Sequence, residues 1–104
     1  MISSTRNHLI KKLLYRSKQM GWLEVDLILG SWATKNLNRM SDNELLNYEK
    51  LLNEDTVTIY KYLTKTKKIN SNLDNNLVDK IIDDSRVKIN SPKKYSLLKK
   101  YMSN

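Results

Sequence analysis

The sequence predicts an all-α fold, a small single-domain bundle of about five short helices. Its 104 residues can build one hydrophobic core, and a second domain of ordinary size would not fit. The chain has only two glycines and one proline, so few of its residues favour turns and many favour helices. It has no phenylalanine, so tryptophan and tyrosine must supply the aromatic part of the core.

The first two predicted helices meet at a single glycine. Apolar residues at helical spacing predict an amphipathic helix over about residues 5–19. Gly21 is predicted to end it, because glycine adopts the left-handed backbone conformation without strain. A second helix follows over about residues 22–37. It is apolar on nearly every side, which is typical of a helix at the centre of a bundle.

A strip with little side-chain bulk runs along the second predicted helix. Asp26, Gly30 and Ala33 share one face by their i, i+4, i+7 spacing. Another backbone can approach closely at this strip. Two interpretations are open at this stage: the backbone belongs to a neighbouring helix of the same domain, or it belongs to a partner.

Capping signals place the third and fourth helices. Ser41, followed three residues later by Glu44, forms a capping box that predicts the start of the third helix. Asp55 or Thr56 is predicted to cap the fourth helix. Four aromatic residues occupy apolar stripes, and we expect them in the core rather than at an interface: Trp22, Trp32, Tyr48 and Tyr62.

The predicted bundle covers residues 1–84. Its fifth helix is capped from Asn72 or Asp74 and carries apolar residues through Ile82. Residues 85–104 form a polar, basic C-terminal tail. Within this tail Pro92 is predicted to start a short helix that becomes ordered on a partner.

The net charge of +8 is divided into three parts. Residues 1–23 contribute +5, residues 24–60 contribute −4, and residues 61–104 contribute +7. Nucleic acid, an anionic membrane surface and an acidic protein are the partners that such a charge suggests. No apolar run approaches the roughly 20 residues that span a bilayer, so we do not expect an integral membrane subunit.

The N-terminus is basic, free of acids and amphipathic, as in part of a mitochondrial transit peptide. Its apolar pattern nevertheless continues without a break into the first predicted helix. This continuity favours a first helix of the mature protein.

The residue types that catalysis usually requires are scarce. The chain has no cysteine, one histidine (His8), no glycine-rich phosphate loop and no spaced set of metal ligands. Glu24 and Asp26 are two positions apart, so on a helix they would point about 200° apart and could not act on one substrate atom. We therefore expect a protein that is not an enzyme.

Glu24 and Asp26 nevertheless have an unusual setting, because large apolar residues lie on either side of each in the sequence. Acids in the first turn of a helix are stabilised by its dipole, by roughly 0.3–1 kcal/mol each. Large apolar residues surround both, so at least one carboxylate should lie near buried surface, where an unpaired charge is costly. A cation from a partner would relieve that cost.

Three segments together resemble the succinate dehydrogenase assembly factor 2 family, called SdhE in bacteria: "LLYRSKQMGWLEVDLILGSWA", "MSDNELLNYEKLLNED" and "IYKYL". The resemblance covers about residues 9–64. The family hallmark is Arg-Gly-x-x-Glu followed by an acid two residues on, and Gly21, Glu24 and Asp26 stand in register with it. Met20 replaces the hallmark arginine and lacks its planar charged fork. The proline usual at the start of the fourth helix is Val57 here.

The resemblance implies a chaperone that binds the flavoprotein subunit of succinate dehydrogenase (complex II) and promotes covalent attachment of FAD to a histidine of that subunit. It implies that FAD belongs to the client and that this chain binds no cofactor itself. The client contact would involve Gly21, Glu24 and Asp26, with Glu24 as the main carboxylate. Met20 would lie beside them, Arg16 or Lys18 would replace the missing guanidinium, and the basic first helix would contribute to docking.

The same resemblance places the protein in the mitochondrial matrix, or in the cytoplasm if the source is bacterial. The free protein is expected to be monomeric.

Two other functions stay open. The first is an accessory or structural subunit of a respiratory complex, in which Met20 has weakened the flavination role. The second is a helical module that binds nucleic acid, suggested by the basic termini. The acidic middle of the chain argues against it, since such a module should gather its bases on one face.

Overall fold

The computed structural model describes the backbone of residues 3–89 and the side chains of residues 4–85. It contains five α-helices and a short 3-10 turn at Leu37–Arg39. The helices are α1 (Ser3–Ser17), α2 (Leu23–Asn36), α3 (Asp42–Leu52), α4 (Thr56–Leu63) and α5 (Asn75–Ile89). No strand occurs within residues 3–89, and the predicted all-α fold is confirmed.

The predicted short helix at Pro92 lies outside the described residues. The backbone of α5 continues five residues past position 84, and the boundary that we placed there stays a prediction. None of the helices described is long and apolar enough to cross a membrane.

Helix α2 is the centre of the bundle, as its apolar composition predicts. It packs against α1, α4 and α5, and its buried residues include Val25, Leu29 and Trp32. A Cβ added at Gly30 would come within 3.0 Å of Lys18 Cγ and 3.9 Å of the Ser17 carbonyl oxygen. The chain that approaches the low-bulk strip is therefore the end of α1, and the interpretation as packing within one domain is confirmed.

Helices α1 and α3 lie side by side and run in the same direction. Polar contacts join them at three successive levels: Arg6 Nη1 to Asp42 Oδ1 at 2.8 Å, Lys12 Nζ to Glu49 Oε2 at 3.0 Å, and Arg16 Nη2 to Asn53 Oδ1 at 2.9 Å. An exposed ion pair such as Lys12–Glu49 contributes at most about 1 kcal/mol. The main effect of these contacts is to fix the register of the two helices.

Hydrogen bonds fix the buried aromatic side chains. The Trp32 indole N–H donates to Asp84 Oδ2 on α5 at 2.9 Å, and its ring lies 5.5 Å from that of Tyr48. Ser17 donates to the Leu13 carbonyl at 2.7 Å, so the Tyr48 hydroxyl, 2.6 Å from Ser17 Oγ, donates to it in turn. Burial raises the pKa of the Tyr48 phenol well above its ordinary value, which keeps it a neutral donor.

Three of the four aromatic residues that we expected in the core are buried there: Trp32, Tyr48 and Tyr62. Trp22 is only half-buried, because it lies at the start of α2 beside a surface loop.

The predicted capping residues open α3 and α4. Ser41 Oγ accepts from the Glu44 N–H at 3.2 Å, and Glu44 Oε1 accepts from the Ser41 N–H at 2.9 Å. The bonds to Ser41 hold the pKa of Glu44 below its usual range. Of the two candidates for α4, Asp55 is the cap, because its Oδ1 accepts from the Thr58 N–H at 3.0 Å.

Asp74 is the cap of α5, since its Oδ1 accepts from the Asn76 N–H at 2.9 Å. Asn72, the other candidate, lies two residues earlier in the connecting loop.

We predict that Ser41→Ala lowers the free energy of unfolding by about 1 kcal/mol, the usual value of a lost N-cap. Urea unfolding followed by circular dichroism measures it. Ser71→Ala is the matched control, because Ser71 is an exposed loop serine that caps no helix, and its change should stay within about 0.5 kcal/mol. Equal losses in both variants would show that the capping box does not stabilise α3.

Candidate functional site

A five-residue loop, residues 18–22, joins α1 to α2 and carries the glycine of the predicted site. Helix α1 ends at Ser17, earlier than predicted, and the chain then turns through bonds from Lys18 N to the Tyr15 carbonyl and from Gln19 N to the Arg16 carbonyl, both 3.1 Å. Gly21 has φ +84°, so the left-handed conformation predicted for it is confirmed. It lies directly before the N-cap of α2 and does not close α1.

The main chain of Met20 is bonded on both sides. Its N–H donates to Asp26 Oδ1 at 2.6 Å, and its carbonyl accepts from the Thr56 hydroxyl at 2.8 Å. Asp26 thus ties the loop to α2, and Thr56 ties it to α4. The sequence did not point to Thr56 in this role, because the bond joins residues 36 positions apart.

Two aromatic rings strengthen the same junction. The rings of Trp22 and Tyr60 stack with their centroids 4.4 Å apart and their planes 15° apart. Such pairs contribute about 0.5–1.5 kcal/mol beyond the area they bury. The sequence predicts Tyr60 as one of the packing residues of α4, but it did not predict that its ring stacks on Trp22.

The two carboxylates of the predicted site differ in their contacts. Both side chains are half-buried in the first turn of α2, whose N-cap Trp22 makes no side-chain capping bond. Their negative charge is therefore favourable beside the positive end of the helix dipole. Asp26 is engaged with Met20. Within residues 4–85, the Glu24 carboxylate makes no hydrogen bond or ion pair.

Met20 stands at the position of the hallmark arginine, and Arg16 and Lys18 are the cations predicted to replace it. These three residues have different surroundings. Arg16 is occupied, because its Nη2 donates to the Leu52 carbonyl at 3.0 Å and to Asn53 Oδ1 at 2.9 Å. The Met20 side chain packs half-buried against the core. Lys18 is exposed, and its stem lies over Gly30.

Five of the six residues predicted to bind a partner therefore lie in or next to the loop: Lys18, Met20, Gly21, Glu24 and Asp26. The sixth, Arg16, lies in the last turn of α1 just before the loop, and its side chain is directed to the end of α3. Their role in binding stays a prediction. The described residues contain no group of three His, Cys, Asp or Glu that could hold a metal ion.

Most of the chain is similar to known proteins. The family model described as flavinator of succinate dehydrogenase matches residues 11–85. A protein of Caenorhabditis elegans is 38% identical over 82 residues, which cover 73% of this chain and 69% of that protein. A protein of Arabidopsis thaliana is 45% identical over 56 residues, covering 54% of this chain and 30% of that protein. No solved structure matches significantly.

A Saccharomyces cerevisiae protein is 43% identical over 70 residues, covering 64% of this chain and 43% of that protein. All three relatives are named succinate dehydrogenase assembly factor 2, mitochondrial. The matches span about two thirds of the nematode protein and less than half of the plant and yeast proteins.

We predict that alanine at the two carboxylates has unequal effects on stability. Asp26→Ala should lower the free energy of unfolding by about 1.5–3 kcal/mol, because it removes a hydrogen bond to a charged acceptor. Glu24→Ala should lower the free energy of unfolding by at most about 1 kcal/mol, because it removes only the favourable interaction of the carboxylate with the dipole of α2. Urea unfolding followed by tryptophan fluorescence compares them. A loss at Glu24 as large as that at Asp26 would contradict the division of roles.

At Gly21 we predict a cost that comes from the backbone alone. A Cβ there would meet no atom within 4 Å, so Gly21→Ala should lose about 1–2 kcal/mol through its left-handed φ. Gly21→Asn should lose less, since asparagine tolerates this conformation. Thermal unfolding of both variants is the measurement. An alanine variant as stable as the wild type would show that the loop does not require this φ.

Proposed function

The chain belongs to the succinate dehydrogenase flavinator family, and we propose that it binds the flavoprotein subunit of succinate dehydrogenase and promotes covalent attachment of FAD to that subunit. Its relatives are named as assembly factors of this enzyme. The proposal makes the chain a chaperone and not the enzyme that forms the bond.

Glu24 carries the proposal. It is half-buried, charged and without a partner in the described residues, whereas Asp26 beside it is bonded internally. An unpaired carboxylate near apolar surface is less favourable than one paired with a cation. A lysine or arginine of the flavoprotein would supply that cation, and a hydrogen bond to a charged group contributes about 1.5–3 kcal/mol.

The fixed loop explains how Glu24 is presented. Met20 is bonded through both its N–H and its carbonyl, and Trp22 is stacked on Tyr60. A surface that is already ordered loses little conformational entropy on binding. We propose that the client meets Gly21 and Glu24 in the arrangement that the free protein already has.

In this proposal the cofactor belongs to the client. FAD would supply the reactive carbon, and the flavoprotein would supply the histidine to which that carbon becomes attached. This chain would hold two parts of the flavoprotein in the geometry that the reaction requires, and positioning of this kind can supply a large part of a rate enhancement. The compartment we propose is the mitochondrial matrix, in keeping with the names of the relatives.

Met20 favours a second candidate, an accessory or structural subunit of a respiratory complex. Its side chain has no guanidinium and packs against the core. The guanidinium of Arg16 is bonded to the end of α3, so it is not free to replace the hallmark arginine beside the loop. Lys18 is the exposed cation there. Copurification with the mature, already flavinylated complex instead of the free flavoprotein would support this candidate.

We predict that coexpression with the matching flavoprotein subunit raises its covalent flavin, measured as in-gel fluorescence after denaturation. Glu24→Gln keeps the shape of the side chain and removes its charge, so it should weaken binding about 10- to 100-fold, the equivalent of 1.5–3 kcal/mol. Covalent flavin should fall accordingly at limiting concentrations of the chaperone.

Asp79→Asn is the matched control, because it removes an exposed charge on α5, and it should flavinylate the client like the wild type. Full activity of Glu24→Gln would refute the role of Glu24. Stable binding by the wild type without any gain in flavin would favour the accessory subunit.

A further inference from the structure

Two exposed apolar side chains lie beside the place where the loop is bonded to α2 and to α4. Leu23 is 39% exposed and follows Trp22, whose ring lies on Tyr60. Val57 is 48% exposed and follows Thr56, whose hydroxyl bonds the loop. Both are therefore held at the end of the molecule where the loop lies.

We call Trp22, Leu23, Val57 and Tyr60 the apolar platform. Val57 and Tyr60 share a face of α4 by their i, i+3 spacing, and Trp22 stacks on that face. Both rings are half-buried and held in place. Rigid aromatic side chains supply contact area at low entropic cost and are enriched where binding energy is concentrated.

The two stretches of sequence that carry the platform are acidic, although the whole chain is basic and Lys18 and Lys61 lie just outside them. Residues 20–27 contain two acids and no lysine or arginine. Residues 53–60 likewise contain two acids and no lysine or arginine. The bonds from Thr58 hold the pKa of Asp55 below its usual range, so this carboxylate is charged at neutral pH. Glu54 precedes it, and Glu24 adjoins Leu23. Lys67 is the cation whose charge acts on Asp55.

This combination decides between kinds of partner. The four acids of these two stretches disfavour nucleic acid and anionic lipid as partners at the platform. A protein surface with an apolar side chain flanked by lysine or arginine would match both its shape and its charge.

We propose that the platform is a docking site for a basic, apolar segment of the partner protein, which extends the contact from Glu24 and the loop onto α4. The proposal rests on the function proposed above, since it takes the flavoprotein subunit as that partner. An apolar side chain of the partner packs between Leu23 and Val57. Its neighbouring cations face Glu24 and Glu54.

The test is Val57→Asp, with Leu46→Asp as its matched control. Leu46 is 43% exposed, which is similar to the exposure of Val57. It lies on α3 one turn before Glu49, and Glu49 pairs with Lys12 of α1. It is thus well away from the loop. Aspartate at position 57 falls in the first turn of α4, where the dipole favours it, so the variant should fold.

Binding of the full chain to the purified flavoprotein subunit is measured by calorimetry, with circular dichroism as the check on folding. We expect Val57→Asp to weaken binding at least tenfold and Leu46→Asp to change it less than twofold. Leu23→Asp, in the first turn of α2, should behave like Val57→Asp.

Wild-type affinity in both platform variants would overturn the platform and leave the proposed function standing. Equal weakening by Leu46→Asp would overturn it as well. A wild-type chain that does not bind the flavoprotein would refute the proposed function and, with it, the partner named here.

Discussion

The two hydrogen bonds to the main chain of Met20 are the constraint on which the site depends. Asp26 takes the N–H, and Thr56 donates to the carbonyl, so one residue joins the loop to α2 and to α4. Without these bonds the loop would be held only by the stacking of Trp22 on Tyr60 and by the packing of its Lys18 and Met20 side chains. With them, Gly21, Trp22 and Glu24 have fixed positions at one end of the bundle.

The rest of the bundle holds this junction in place. Arg16 fastens the last turn of α1 to the end of α3, immediately before the loop. Gly30 allows the end of α1 to approach α2, because any side chain there would press on Lys18. Trp32 connects α2 to α5 through Asp84. The site is therefore supported from α1, α3 and α5 as well as from the helices that form it.

Sequence patterns predicted the elements that depend on local signals. The five helices, the capping box at Ser41 and the positive φ of Gly21 follow from spacing, capping chemistry and backbone sterics. The contacts of Thr56 and Tyr60 could not be predicted, because they join residues more than 30 positions apart and leave no local pattern. Periodicity placed Glu24 and Asp26 on one helix but could not tell which of them is bonded internally. The resemblance to a family pointed to both, and the geometry separates them.

The bonds of Met20 should fix the loop in the free protein, before any partner binds. Amide hydrogen exchange of the free protein, followed by NMR, tests it directly at the Met20 N–H. We expect the Met20 N–H to be protected like the Asp26 N–H, which donates to the Trp22 carbonyl at 2.9 Å. In Asp26→Ala the protection of the Met20 N–H should disappear. Exchange of the Met20 N–H at the rate of an unstructured chain would show that the loop is not fixed in the free protein.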